Sequence, residues 1–409
     1  MVTGTAEGLT LRQLGPSVYL PSAVYSTGLG AVAPVIVLSA IDLGVSPAAA
    51  AVVAALLGLG QIAGALPAGV LIARVGERRT MLAATGLALP TLLICVLARD
   101  VFLFGAAVAL LGLTGAAWGV ARHAYLTEAV RPDLRARAMS TLGGLGRVGT
   151  FAGPLLGAAA IHVLGLSGAY VVALTLVGLA TALVAFLPAV PHDRPAGTGT
   201  AQPALWAVIR DNRRTLFTLG FGVLLVGALR ASRQTILPLW GVALGVDPAT
   251  IGLVYAVSGA VDMLLFYPAG RLMDRRGRRW AAVPAMTLLG LAHVLLPLTG
   301  GLSGLMLAGV LMGVGNGLSA GLVMTVGADV SPALGRAQFF GAWRVCADVG
   351  AGGGPLLIGA VTAAASLTAA ALAMGGAGLA AAFLLHRWLG GLPRLGVARR
   401  SPEATAVEG

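Results

Sequence analysis

The sequence contains no lysine; all 27 of its basic residues are arginine. Without lysine no G-x-x-x-x-G-K-[ST] phosphate loop can form, which excludes ATP-driven pumping by this chain alone. Charged residues of both signs together reach only 10%. A soluble globular domain carries about 25%, so that class is excluded as well. The two cysteines, Cys95 and Cys346, lie inside apolar stretches, which argues against a disulfide framework or a thiolate metal site. There is no His/Glu metal spacing and no G-x-S-x-G elbow, so no enzyme, metal or cofactor is expected. The first dozen residues hold Glu7 and Arg12 rather than a basic start with a cleavage site, so no signal peptide is expected.

What is present is hydrophobic: 57% of the residues, with a mean hydropathy of +0.91. Charges leave apolar stretches long enough to cross a bilayer of about 30 Å. Twelve spans are predicted, at 16–40, 48–72, 79–98, 101–127, 138–163, 166–188, 215–242, 249–270, 280–299, 303–327, 337–362 and 366–388. The expected fold is therefore all-α, a polytopic membrane protein of 12 transmembrane helices in two pseudo-symmetric six-helix bundles. Sixty glycines suit close helix approach in lipid.

The net charge of +12 would fit a nucleic-acid partner, but its placement says otherwise. With the N-terminus inside, 21 arginines fall in cytoplasmic segments or at the cytoplasmic ends of spans, one (Arg99) outside and five well within spans. This is the positive-inside pattern, and it predicts both termini in the cytoplasm. The clusters then meet water and anionic lipid headgroups. Arginine-only, Ala/Gly-rich usage hints at a GC-rich bacterial source, and with the twelve spans the expected location is a bacterial inner membrane.

The chain also repeats itself with an offset of 201 residues. Leu43-Gly44-Val45-Ser46-Pro47 returns as Leu244-Gly245-Val246-Asp247-Pro248, and Gly153-Pro154-Leu155-Leu156 as Gly354-Pro355-Leu356-Leu357. The predicted domains are an N-terminal bundle 1–188, a cytoplasmic linker 189–214, a C-terminal bundle 215–388 and a cytoplasmic tail 389–409. Two similar membrane halves usually carry a solute through the gap between them.

Between spans eight and nine the chain reads Gly270-Arg271-Leu272-Met273-Asp274-Arg275-Arg276-Gly277-Arg278-Arg279. This resembles the loop motif G-x-L-x-D-R-x-G-R-R of the major facilitator superfamily. The first-half copy runs from Gly69 through Arg74, Gly76 and Arg78, with Ala73 where Asp274 stands. The glycines permit a tight turn. The resemblance implies that Asp274 latches one half to the other, and that Glu128 and Asp329, ending spans four and ten, pair with Arg74 or Arg78 and with Arg275 or Arg278. In span five, Gly149, Gly153, Pro154 and Gly157 resemble the G-x-x-x-G-P-x-x-G motif of the family's drug/proton antiporters. Ordinary small-residue contact explains that motif too, and a similar run, Gly350 to Pro355, stands in the second half. The resemblance covers about residues 15–390.

Arg122, Arg147, Arg230, Arg233, Arg344, Asp262 and Asp348 fall within spans. Each costs about 2.5–3.5 kcal/mol at a helix centre and so needs a partner or a water-filled cavity. By the offset, Arg147 corresponds to Asp348 and Gln61 to Asp262. The resemblance implies that spans five and eight, and two and eleven, face each other. Arg147 and Asp262 each lie about ten residues from the cytoplasmic end, or about 15 Å deep. An Arg147–Asp262 contact is therefore predicted, with Gln61 and Asp348 approaching in the mirrored position, and Arg344 pairing with Asp348 four residues on. Two readings are open: a protonation switch, or a permanent salt bridge that specifies assembly.

Arg230 and Arg233 either face a polar cavity and bind substrate or bond carbonyls near the outer interface. His293 either titrates at the substrate site or is a hydrogen-bonded interior residue. Asn316 lines the cavity or bonds across helices. Arg122 contacts substrate or snorkels, and Tyr25, Trp118, Trp240, Tyr255 and Trp343 line a pocket or face neighbours. Five arginines against two aspartates leave the spans net positive, which favours a neutral or anionic substrate. The expected function is a monomeric secondary transporter, exporting a small amphipathic, neutral or anionic compound against protons by alternating access. The alternative is a proton symporter importing an anionic metabolite or sugar; a transporter-like sensor would carry a large regulatory appendage.

Overall fold

The computed structural model describes residues 15–130, 134–186, 205–332 and 334–390. Arg131, most of the expected linker and nearly all of the expected tail lie outside the described residues. Among the described residues twelve helices are long and apolar enough to cross a membrane. They are Leu20–Asp42, Pro47–Ala65, Glu77–Leu97, Val101–Ala129, Ala138–Leu164 and Ser167–Ala185, then Arg213–Ala243, Pro248–Arg276, Arg279–Leu298, Leu302–Val330, Gln338–Ala364 and Leu367–Leu389. These are spans one to twelve. Within the expected linker, Leu205–Asp211 is helical and a further helix starts at Arg213.

The 201-residue repeat is visible in the backbone. Ser46 and Asp247 cap spans two and eight, each side chain accepting a hydrogen bond three residues on, from Ala49 N and Thr250 N. The helices of these two spans run on to Val75 and Arg276, and Gly76 and Gly277 end them with φ of 86° and 96°, a region that favours glycine. Span one packs on span five as seven does on eleven, two on four as eight on ten, and three on six as nine on twelve.

Small residues set these contacts. Gly149, Gly153 and Gly157 lie against Ser26, Thr27 and Ala31, and a Cβ at Gly153 would stand 2.6 Å from Ala31 N. The span-five motif is thus the seam between spans one and five. Gly350 and Gly354 make the equivalent seam against Leu224 and Ala228.

The two halves meet along spans five and eight and spans two and eleven. Gly58 approaches Gly352, Gly359 approaches Ala48, and Gly252 approaches Ala158, all on the side away from the arginine-rich loops. Near those loops, by contrast, Gly69 and Gly270 have nothing within 4 Å of where a Cβ would stand. The two halves are therefore in close backbone contact at the face away from the arginine-bearing loops.

Candidate functional site

Asp262, in the middle of span eight, is 2% exposed. Arg147 Nη1 of span five donates to its Oδ1, joining the two halves. Its other oxygen accepts from Asn316 Nδ2 of span ten, and Arg233 Nη2 lies 3.9 Å away. Asn316 passes the contact on, because Arg230 Nε donates to Asn316 Oδ1 at 2.9 Å. Only this amide orientation makes both contacts donor-to-acceptor. Arg233 also donates to Ser258 Oγ at 3.0 Å and lies 4.9 Å over the Tyr255 ring, while Arg147 stacks 4.8 Å over Phe266. One carboxylate thus anchors three arginines from two spans, Arg147 and Arg233 directly and Arg230 through Asn316.

This cluster forms the wall of a cavity of about 450 Å³, which also reaches Arg344 and Asp348. Four arginines against two aspartates give the wall a net positive charge. Span ten breaks there: its helix stops at Leu318 and restarts at Leu322 after Gly321, with φ 74°. The amides of Val323 and Met324, at the restart, have no backbone acceptor among the described residues. A half-helix N-terminus beside a cavity adds positive potential.

A second cavity of about 300 Å³ adjoins the first and shares Thr150 and Gln234 with it. Tyr25, Trp118, Arg122, Gln61 and Tyr255 stand on its wall. Arg230, Arg233, Asn316, Tyr25, Arg122 and Gln61 therefore all reach the cavity system.

Several expectations are corrected. Gln61 and Asp348 make no hydrogen bond to each other among the described residues; Asp348 is held within its own helix by Arg344 Nε at 2.9 and 3.1 Å. His293 is fully buried, with its ring bonded to Ser232 Oγ at 2.8 Å and Leu289 O at 2.7 Å, so both nitrogens are occupied by protein. Trp343, left open between a pocket and its neighbours, faces a neighbour and donates to Val323 O at 2.7 Å. Asp274 is exposed and makes no hydrogen bond or ion pair among the described residues. The loop is tied instead by Arg278, whose Nε and Nη2 grip Asp329 at 2.7 and 3.2 Å. Arg78 reaches the carbonyl oxygens of Val184 and Ala185 at the end of span six. Arg74 and Arg275 are exposed, and Glu128 lies in the last turn of span four. Among the described residues no group of His, Cys, Asp and Glu is placed to hold a metal.

The break in span ten was not read from the sequence. Asn316 was left open between lining the cavity and bonding across helices, and it does both.

No curated protein matches the chain in sequence. Solved structures share its fold. The human organic anion transporter MFSD10 (TETRAN) is 18% identical, with a TM-score of 0.66 over 90% of this chain and 97% of that one. The nucleoside transporter NupG is 13% identical, with 0.72 over 90% and 96%. A POT family transporter in complex with 5-aminolevulinic acid is 11% identical, with 0.73 over 93% and 96%. At these identities the likeness concerns the fold alone. The Major Facilitator Superfamily model matches twice, over residues 18–241 and 219–406. With both halves matched, and with the cavity between them, the chain belongs to the transporters of the major facilitator superfamily.

Proposed function

We propose that this transporter moves a small organic anion together with protons by alternating access. The observation that carries the reading is one carboxylate, Asp262, holding arginines on a net-positive cavity wall. An incoming anion competes with Asp262 for Arg147 and Arg233. Protonating Asp262 removes the competitor, so proton and anion bind better together than apart, and the benefit is reciprocal. Solutes that assist each other at one site travel in the same direction, whereas exchange needs mutual exclusion. The geometry therefore favours cotransport.

Proton-driven efflux is the second reading, carried by the span-five motif. Its glycines are accounted for by contact with span one, which weakens that argument. In either reading the bundles 1–188 and 215–388 are the rocking units of a monomer. Both termini lie in the cytoplasm of a bacterial inner membrane.

The test is uptake into proteoliposomes under an imposed pH gradient, with labelled anionic, neutral and cationic solutes. Anion accumulation driven by protons entering alongside it, and lost in Asp262→Asn, is expected. Accumulation against an opposing proton flux would establish efflux instead. Failure of every anion to accumulate would overturn the substrate class.

A further inference from the structure

We infer that the substrate is a two-headed organic anion, its second acidic group held in the adjoining cavity by Arg122, Tyr25 and Trp118 of the first half. The inference rests on the anion reading above and specifies the substrate class of that site.

The adjoining cavity holds an excess of donors. Arg122 Nε, Tyr25 Oη, Trp118 Nε1 and Tyr255 Oη are all buried without a hydrogen-bond partner. Buried polar groups are rarely left unpaired, and several together on one cavity wall point to an acceptor supplied by a ligand. The Tyr25 and Trp118 rings stack at 4.3 Å and 22°, which fixes both groups in place. No described carboxylate pairs with Arg122, and Asp262 and Asp348 both belong to the wall of the first cavity.

The two regions differ in a way that matters. In the first, each arginine has a partner: Arg147 and Arg233 have Asp262, Arg230 has Asn316 and Arg344 has Asp348. In the second, Arg122 has none. A monoanion seated in the first cavity leaves Arg122 uncompensated, whereas a second carboxylate, phosphate or sulfonate neutralises it. Between the two poles, Thr150 and Gln234 belong to both walls, so a short polar or aliphatic spacer can connect the ends.

The experiment measures binding to the purified full chain by calorimetry, using straight-chain α,ω-dicarboxylates of increasing length. Each is compared with the monocarboxylate of equal carbon number. At one spacing the diacid is expected to bind at least ten-fold tighter than its monoacid. Arg122→Gln should cut that ratio below about two-fold, and Tyr25→Phe, which removes only a hydroxyl, should lower it by a smaller factor with an unchanged melting temperature. Equal binding of diacid and monoacid at every length would overturn the inference, as would a ratio that survives Arg122→Gln. Absence of binding by any acid would instead overturn the anion reading itself, and this inference with it.

Discussion

Arg230 reaches Asp262 only through Asn316, whose amide accepts from the arginine on one side and donates to the carboxylate on the other. The two charges, on spans seven and eight, are therefore coupled by a neutral side chain on span ten. A double-mutant cycle with Arg230→Gln and Asp262→Asn should show a coupling of about 0.6–1.7 kcal/mol, the range seen for membrane hydrogen bonds. In an Asn316→Leu background the coupling should fall to about zero. Equilibrium unfolding of the purified protein supplies the four energies of each cycle.

Anion binding should depend on pH with a definite sign. The Asp262 carboxylate competes with the ligand when ionised and not when protonated, so affinity should fall as pH rises through its titration. A loss on the order of ten-fold is expected, within the usual span of coupling between two sites. Asp262→Asn should hold its affinity constant over the same pH interval. A wild-type affinity that rises with pH would contradict the cotransport reading.

The glycines of the two motifs should behave in opposite ways. Gly153→Val places atoms where Thr27 and Ala31 already stand, and overfilling of this kind costs about 1–3 kcal/mol. Gly69→Ala meets nothing within 4 Å, so it should leave the melting temperature unchanged or raise it slightly. Thermal denaturation of the two variants side by side checks the contrast.

Two exposed aspartates should contribute to the acid limb of stability. The backbone amides of Leu103 and Phe102 hold the Asp100 carboxyl below the usual carboxylate range. Thr250 does the same for Asp247, through its side chain and then its backbone amide. Depressed folded-state values mean that the stabilisation is present above the ordinary aspartate range and is lost as pH falls through the folded-state values. Asp100→Asn and Asp247→Asn keep an acceptor at each cap and should flatten the stability profile below about pH 4. Melting temperatures measured from pH 3 to pH 6 would reveal the change.

The spans were legible because bilayer thickness demands long apolar runs, and hydropathy reports those directly. The Arg147–Asp262 contact was legible because the family resemblance sets spans five and eight face to face and both residues lie about ten residues from the cytoplasmic end. Faces and breaks were not. His293 and Arg233 both sit inside apolar helices, yet one is locked against Ser232 and the other reaches a cavity, a difference of helix rotation that composition does not encode. The interruption at Gly321 carries no proline, and one glycine among 60 gives no warning. Asp274 matched a motif by letter, but its side chain is exposed while Arg278 makes the contact to Asp329. Gln61 stands where the offset requires, but Arg344 lies closer to Asp348 along the same helix and takes it.

The seam that closes one face of the molecule brings Gly58 to Gly352, Gly359 to Ala48 and Gly252 to Ala158. Glycine and alanine have no side-chain rotamers to freeze, so forming these contacts carries almost no side-chain entropy cost, and parting them returns almost none. The open and closed arrangements of that face can then lie close in free energy over a wide range of temperature. A seam of long side chains would tie the balance to their thermal disorder. Here the set point falls to the Arg147–Asp262 link between the halves and to whatever occupies the cavity beside it.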